Sequence, residues 1–333
     1  MSDSADFLKI GSLHLRNRFL LAPLTKISDL PFRLVVKQYG PALSFTEMID
    51  AGSLAKDKKN TIGRIKTANG HEFPIGLQMF GTRPEDFAKS IERYGHSFDV
   101  FDLNLGCPTD EAVSQGAGVA LLRRPQRVKS LVESMRKATS KPISVKIRLG
   151  IDNSKQAVKM AQLIEESGAD VLVVHGRTAE QPYSHPADWN AVRTIKNALD
   201  IPVIGNGDVF DSRTAHQFLD EKFSDGIMLG RAAIQNPKIF AECLYPDTQP
   251  ATFEERVRWI MQYGEFARQY GCFSFERFRR RVADFLYPYL QEGTRKILRT
   301  SPSIDSKRAI YALINTLYPK TFPLEDNGLV DVH

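Results

Sequence analysis

The sequence has little cysteine: three residues in 333, Cys107, Cys243 and Cys272, an odd number without C-x-x-C spacing. Neither a disulfide framework nor a zinc or iron–sulfur site is suggested, and any cysteine chemistry is that of a single thiol. Long apolar runs are missing, so no stretch suits a bilayer span. The opening Met1-Ser2-Asp3-Ser4-Ala5-Asp6 is polar and acidic, unlike the basic-then-apolar start of a signal peptide. A soluble cytoplasmic protein, without membrane attachment and without metal, is expected. A large excess of one charge is also lacking. The net charge of +6, from 45 Lys and Arg against 39 Asp and Glu, favours a polyanionic partner only mildly. Missing too is a G-x-G-x-x-G turn after the first strand-like run, as an open doubly wound dinucleotide fold would have.

What is present is globular composition, 42% hydrophobic and 25% charged, in a chain long enough for one large domain and a smaller one. Runs rich in Val, Ile, Leu and Phe fall at 19–25, 43–48, 75–81, 100–106, 143–150, 171–177, 202–208 and 226–231, with amphipathic helical stretches between them. This is the pattern of repeated βα units around a parallel sheet. Eight units over roughly 230 residues match a closed (β/α)8 TIM barrel. Pro84 and Pro125 suit first helical turns and Asp211 a helix cap, because proline has no amide to satisfy there and a carboxylate can accept one. From Tyr245-Pro246-Asp247-Thr248-Gln249-Pro250 onward the strand signals stop, and 254–270 and 275–289 read as helices. The predicted organisation is a barrel over 1–245 and a helical domain over 252–333.

A barrel places its active site at the C-terminal ends of its strands. Thr25, Glu47, Gln78, Asn104 with Cys107, Lys146 with Arg148, His175 with Arg177, Asn206 with Asp208, and Arg231 all fall at or just past a predicted strand end. Gly205-Asn206-Gly207-Asp208 and Leu229-Gly230-Arg231 end the last two strands. Glycine there lets backbone amides approach an oxyanion and arginine adds a forked contact, so together they read as a phosphate site. In Ser144-Val145-Lys146-Ile147-Arg148 the alternation sets Lys146 and Arg148 on one face. Turned inward, the Lys146 ammonium needs an anion or a developing negative charge; turned outward, it merely covers a helix. His175 reads either as a hydrogen-bond donor beside it or as a satisfied structural histidine. Cys107, between a strand end and the Gly-rich Gln115-Gly116-Ala117-Gly118, reads as an available thiol or as a buried inert one.

The ordered set of motifs resembles the tRNA-dihydrouridine synthases over nearly the full length. It comprises Ala22-Pro23-Leu24 with Asp29-Leu30-Pro31-Phe32-Arg33, Thr46-Glu47-Met48, Gln78-Met79-Phe80-Gly81, Asn104-Leu105-Gly106-Cys107-Pro108, Lys146-Ile147-Arg148, His175-Gly176-Arg177-Thr178, Asn206-Gly207-Asp208 and Gly230-Arg231. The resemblance implies noncovalent FMN, with Pro23, Leu24, Thr25 and Gln78 beside the ring and Lys146 and His175 on its polar edge. Asn206, Gly207, Asp208, Gly230 and Arg231 would surround the phosphate. It implies NADPH as reductant, Cys107 as the acid, and Asn104, Lys146, Arg148, His175, Arg177 and the aromatic Tyr183 near the uracil. Departures from the family pattern are Thr25-Lys26 after the first strand, Asp110-Glu111 after Cys-Pro, and Ala179. In the tail, Arg277, Arg279, Arg280 and Arg281, with Arg295, Lys296, Arg299, Lys307 and Arg308, stand among the aromatics Phe275, Phe278 and Tyr287. They read either as a solvated face or, by the resemblance, as tRNA contacts. The rival expectations are an FMN barrel acting on a free pyrimidine, of the dihydroorotate dehydrogenase type, and a tRNA-binding protein without catalysis. The oligomeric expectation is a monomer.

Overall fold

The computed structural model describes residues 7–68, 70–72, 74–300 and 310. An antiparallel pair, β1 (Leu8–Ile10) and β2 (Leu13–Leu15), opens the chain. Then follow β3 (Phe19–Leu21), β4 (Ser44–Phe45), β5 (Ile49–Asp50), β6 (Ile75–Phe80), β7 (Val100–Leu105), β8 (Ile143–Arg148), β9 (Val171–His175), β10 (Val203–Asn206) and β11 (Gly226–Leu229), with helices between them. The sheet runs β3, β11, β10, β9, β8, β7, β6, β4 with every neighbour parallel, and β5 adds to the far end of β6. Leu20 bridges Leu43, and the bonds Leu21 N to Leu43 O (2.9 Å) and Ala42 N to Phe19 O (2.8 Å) bring the first and last strands of this order together. The result is a nearly closed parallel barrel with alternating helices, the architecture expected from the repeat of strand and helix signals.

The strands stop earlier than predicted, for local reasons. The first ends at Leu21 because Pro23 has no amide to give a ladder, and the Leu24 carbonyl turns the chain by accepting from Ile27 N (3.0 Å) and Ser28 N (2.8 Å). The second is broken at Thr46, whose hydroxyl replaces a ladder acceptor by receiving Gln78 N (3.1 Å). Pro84 and Pro125 do open helices, Pro84–Tyr94 and Pro125–Ala138, and Asp211 caps Ser212–Asp220 by accepting from Thr214 N at 2.7 Å. The β1–β2 pair was not predicted, since two runs of three residues are too short to show alternation. Its Leu8, Ile10 and Leu15 pack with Val100, Val171 and Ile204, at or near the beginnings of the barrel strands, so the pair seals the end opposite the strand tips.

By contact the chain divides into two compact units, Met1–Pro250 and Ala251–His333. The described residues of the second are helical: Phe253–Gln269, Phe275–Phe285 and Glu292–Thr300, with a 3-10 turn Tyr287–Tyr289 where Pro288 interrupts the predicted longer helix. Thr252 and Glu255 form a reciprocal capping box at its start. Trp259, Tyr263, Phe278 and Phe285 are its buried aromatic core. Among the described residues no helix is long and apolar enough to cross a membrane.

Gly205 in β10 shows how tightly the barrel meets its helices. A Cβ there would stand 2.2 Å from Trp189 Cζ3, and Trp189 is itself stacked on Phe218 at 3.9 Å and bonded through Nε1 to Gly207 O at 3.1 Å. Gly205→Ala is therefore expected to lower unfolding stability by about 1–3 kcal/mol through overpacking. Denaturant titration checks this; an unchanged midpoint would mean that Trp189 moves aside freely.

Candidate active site

The strand tips surround a cavity of about 370 Å³, within the usual size range of small-molecule sites. Pro23, Leu24 and Thr25 line it from the loop after β3, and Gln78, Asn104 and Cys107 from β6, β7 and the loop after β7. Lys146 and Arg148 come from β8, and His175 and Tyr183 from β9 and the loop beyond it. Asn206, Gly207 and Asp208 with Gly230 and Arg231 complete the wall from the ends of β10 and β11. The sequence-predicted residues of the barrel thus share one cavity, apart from the fully buried Glu47, which pairs with Arg64 at 3.4 Å, and one further exception.

That exception is Arg177. It was expected near the uracil, yet it is 1% exposed and does not line the cavity. Its Nε donates to His185 O (2.6 Å), and its Nη2 donates to Tyr183 O (3.0 Å) and to both carboxylate oxygens of Asp208 (2.6 Å each). Its donors are spent on holding the loop that carries Tyr183. The tail needs a similar correction at Arg281, which is 3% exposed and paired with Asp284 at 2.9 Å. It lies on the same helical face as Phe278 and Phe285, one turn from each. Arg277, Arg279 and Arg280 are half-buried, with Arg280 bonded to Glu276 at 2.6 Å, while Lys296 is exposed. Lys307 and Arg308 lie outside the described residues.

Below the cavity runs a chain of polar contacts between strands. Asp102 Oδ2 accepts from Gln78 Nε2 (2.7 Å), Gln78 Oε1 accepts from Asn104 Nδ2 (3.0 Å), and Asn104 Oδ1 receives the amides of Gly106 (3.1 Å) and Cys107 (2.9 Å). On the other side the Cys107 carbonyl accepts from Val119 N at 3.0 Å. Gly118, at φ +58°, comes so close that a Cβ would be 2.6 Å from that carbonyl. The Cys107 backbone is therefore fixed from both sides. Its half-buried sulfur lies 3.1 Å from Thr109 Oγ1. Cys243, by contrast, is buried, and burial pushes its thiol up to about 12.

The electrostatics separate the charged groups into roles. Burial lowers Lys146 to about 8, against the opposing pull of Asp102, and its Nζ donates to Asn206 Oδ1 at 3.1 Å. Burial and the surrounding cations Lys146, Arg148, Arg177 and Arg231 lower His175 to about 2. His175 is thus neutral, and because a guanidinium can only donate, its Nε2 accepts from Arg177 Nη1 (3.2 Å) and its proton sits on Nδ1. Asp208 occupies the left-handed region at φ 56°. Burial alone would raise its carboxyl, but bonds from Arg177, the Ala187 amide and Arg231 outweigh this and hold it below the usual range. Arg231 reaches it at 2.6 Å.

Sequence reasoning missed Asp102, although it shares the strand face of Asn104 two residues on. Its carboxyl is 1% exposed, and burial raises it to about 7 despite the bond from Gln78 and the nearby Ser144 and Lys146. A carboxyl with a raised folded value binds a proton that the unfolded chain has released, so its burial costs stability as pH rises from about 4 to about 7. Asp102→Asn keeps an acceptor for Gln78 and removes the charge. Its stability relative to the unsubstituted protein is expected to improve from pH 4 to pH 7 and to stay level above. Chemical denaturation across that range checks this, and a pH-independent difference would contradict it.

Comparison with known proteins identifies the family. The family model described as dihydrouridine synthase matches residues 20–292. A probable tRNA-dihydrouridine synthase 1 of Synechocystis sp. is 36% identical over 238 residues, 71% of this chain and 66% of that protein. A probable tRNA-dihydrouridine synthase of Rickettsia prowazekii is 37% identical over 244 residues, 72% of this chain and 73% of that one. tRNA-dihydrouridine synthase B of Pasteurella multocida is 32% identical over 236 residues, 70% of each. Among solved structures, morphinone reductase superposes with a TM-score of 0.54 at 15% identity, over 74% of this chain and 90% of that one; this likeness concerns the fold alone. With the family model spanning most of the barrel and reaching into the helical unit, the chain belongs to the dihydrouridine synthase family.

Proposed function

We propose that this protein is an FMN-dependent tRNA-dihydrouridine synthase, which uses NADPH to reduce the C5=C6 bond of uridine in tRNA. The observation that carries the proposal is the convergence of the Cys107 thiol and the Lys146 ammonium on one cavity at the strand tips. The residues present fit FMN. A half-buried ammonium that donates, among the described residues, to Asn206 Oδ1 alone suits an anionic ring edge. Gly207 lines the cavity at a place only glycine fits, since a Cβ would be 2.9 Å from Ala187 Cβ and 3.1 Å from the His175 ring. Gly230 leads directly into the helix Arg231–Gln235 beside it, so first-turn amides border the wall where a phosphate would lie. Lys146 and His175 would hold the ring edge, Gln78 and Pro23 to Thr25 its flank, and Asn206, Gly207, Gly230 and Arg231 the phosphate, with the Asp208 carboxylate orienting Arg231.

FMN, when bound and reduced by NADPH, would supply the hydride for C6 of the uracil. The remaining work falls to the chain. Negative charge shared between C5 and O4 of the base needs a donor, and Lys146 can give one near neutral pH. His175 holds its single proton on Nδ1 and stays neutral well below pH 7, so it donates a hydrogen bond without serving as the acid. Cys107 supplies the proton to C5, with Asn104 fixing its backbone and Thr109 beside its sulfur. The target base must be turned out of the folded RNA to reach the cavity, at a cost of about a few kcal/mol. Basic residues of the helical unit, including Arg277, Arg279, Arg280 and Lys296, would offset that cost through the RNA backbone.

Two experiments test this reading. Cys107→Ala is expected to retain flavin and NADPH oxidation while uridine reduction in tRNA falls by about 10²–10⁴-fold, the range for loss of a general acid; unchanged turnover would remove Cys107 from the mechanism. Charge reversal at Arg280 and Lys296 together is expected to weaken tRNA binding and to reduce the salt slope by roughly 2. Unaltered affinity would assign both to a solvated face.

A further inference from the structure

Two large apolar side chains at the cavity rim stay in water: Tyr183, 59% exposed, and Phe210, 52% exposed. They come from different loops, after β9 and after β10, and they meet on one side chain. The Arg231 guanidinium carbon lies 4.5 Å from the Tyr183 ring centroid and 4.9 Å from that of Phe210. Arg231 cannot drift, because Asp208 Oδ1 accepts from its Nη2 at 2.6 Å. Nor can Tyr183, whose carbonyl is bonded to Arg177 and whose ring stacks on His175 at 6.1 Å. Phe210 follows the buried Val209, which anchors it while its ring projects from the rim.

The uridine chemistry gives Phe210 no role, because the cavity needs only one base, and Tyr183, set near the uracil by the resemblance, stands beside it at the rim. A rim that served solubility alone would be polar. When one base is turned out of a strand, its neighbour in sequence loses a stacking partner and presents a bare face at the mouth. Flat aromatic and guanidinium surfaces are what such a face binds, through stacking that tolerates any base.

We propose that Phe210, backed by Arg231 and Tyr183, is a stacking platform for the nucleobase adjacent to the reduced uridine in the RNA strand. This rests on the reading of the cavity as a uridine site, and it adds a second base subsite outside it. The platform contributes to RNA affinity and to presentation of the target base, and it selects for a base that is unpaired.

The test uses the flavin-loaded full-length enzyme and a short hairpin RNA with one uridine in its loop, flanked on either side in turn by 2-aminopurine, whose fluorescence is quenched by stacking. Binding of the unsubstituted enzyme is expected to quench the probe at one flanking position. Phe210→Ala should abolish that quenching and weaken binding about tenfold, the order expected for one base–aromatic stack, and Phe210→Trp should restore both. Quenching at neither position, or quenching and affinity unchanged in Phe210→Ala, overturns the platform. Uridine reduction in the same hairpins is measured in parallel. Turnover with a failed quenching test leaves the uridine reading standing without the platform. Quenching that depends on Phe210, with no turnover in these hairpins or in whole tRNA, leaves the platform standing and removes the reaction.

Discussion

The site depends on hydrogen bonds that cross from strand to strand under the cavity floor. Asp102, Gln78 and Asn104 sit on neighbouring strands, and their contacts of 2.7 and 3.0 Å end at the amide of Cys107 at 2.9 Å. Each group is desolvated, so a missing partner would leave a buried polar atom unsatisfied and costly. The relay therefore ties the reactive loop to strand register: a slip of β7 by one residue would move Asp102 and Asn104 off the inner face together. A flexible loop thereby gains the positional precision of a sheet.

Much of this was legible in the sequence because strand-end chemistry has few alternatives. Polar residues that alternate with Val and Ile at the close of a strand had to meet inside or lie outside, and Lys146, Asn104 and Gln78 meet. Gly207 and Gly230 marked the turns on which they lie. Strand lengths were overestimated wherever a turn begins with apolar residues, as at Ala22 to Leu24, since composition does not distinguish a ladder from a turn that is merely buried.

Arginine was the residue type least readable. Arg148 ends β8, while Arg177 and Arg231 each stand two residues past their strands; Arg148 donates to Thr178 O at 2.7 Å while lining the cavity, Arg177 is enclosed, and Arg231 lies between rings. A guanidinium binds backbone carbonyls as readily as ligands, so its use depends on loops that fold back from far along the chain. Arg281 differed, because its spacing from Phe278 and Phe285 already set it on the inner face. Asp102 was passed over for the opposite reason: an acidic residue in mid-strand reads as an exposed edge until its neighbours supply partners.

Asp208 gives the cavity an occupant of its own. Its carboxylate holds the Arg231 guanidinium at the place where an anionic ligand would also bind, so any incoming anion has to compete with a tethered rival that is always present. A small free anion offers one contact and gains little from the exchange. A larger molecule that also meets Lys146 and the glycine backbone can leave that pair intact and still gain. Reach, more than charge alone, is therefore what such a ligand would need.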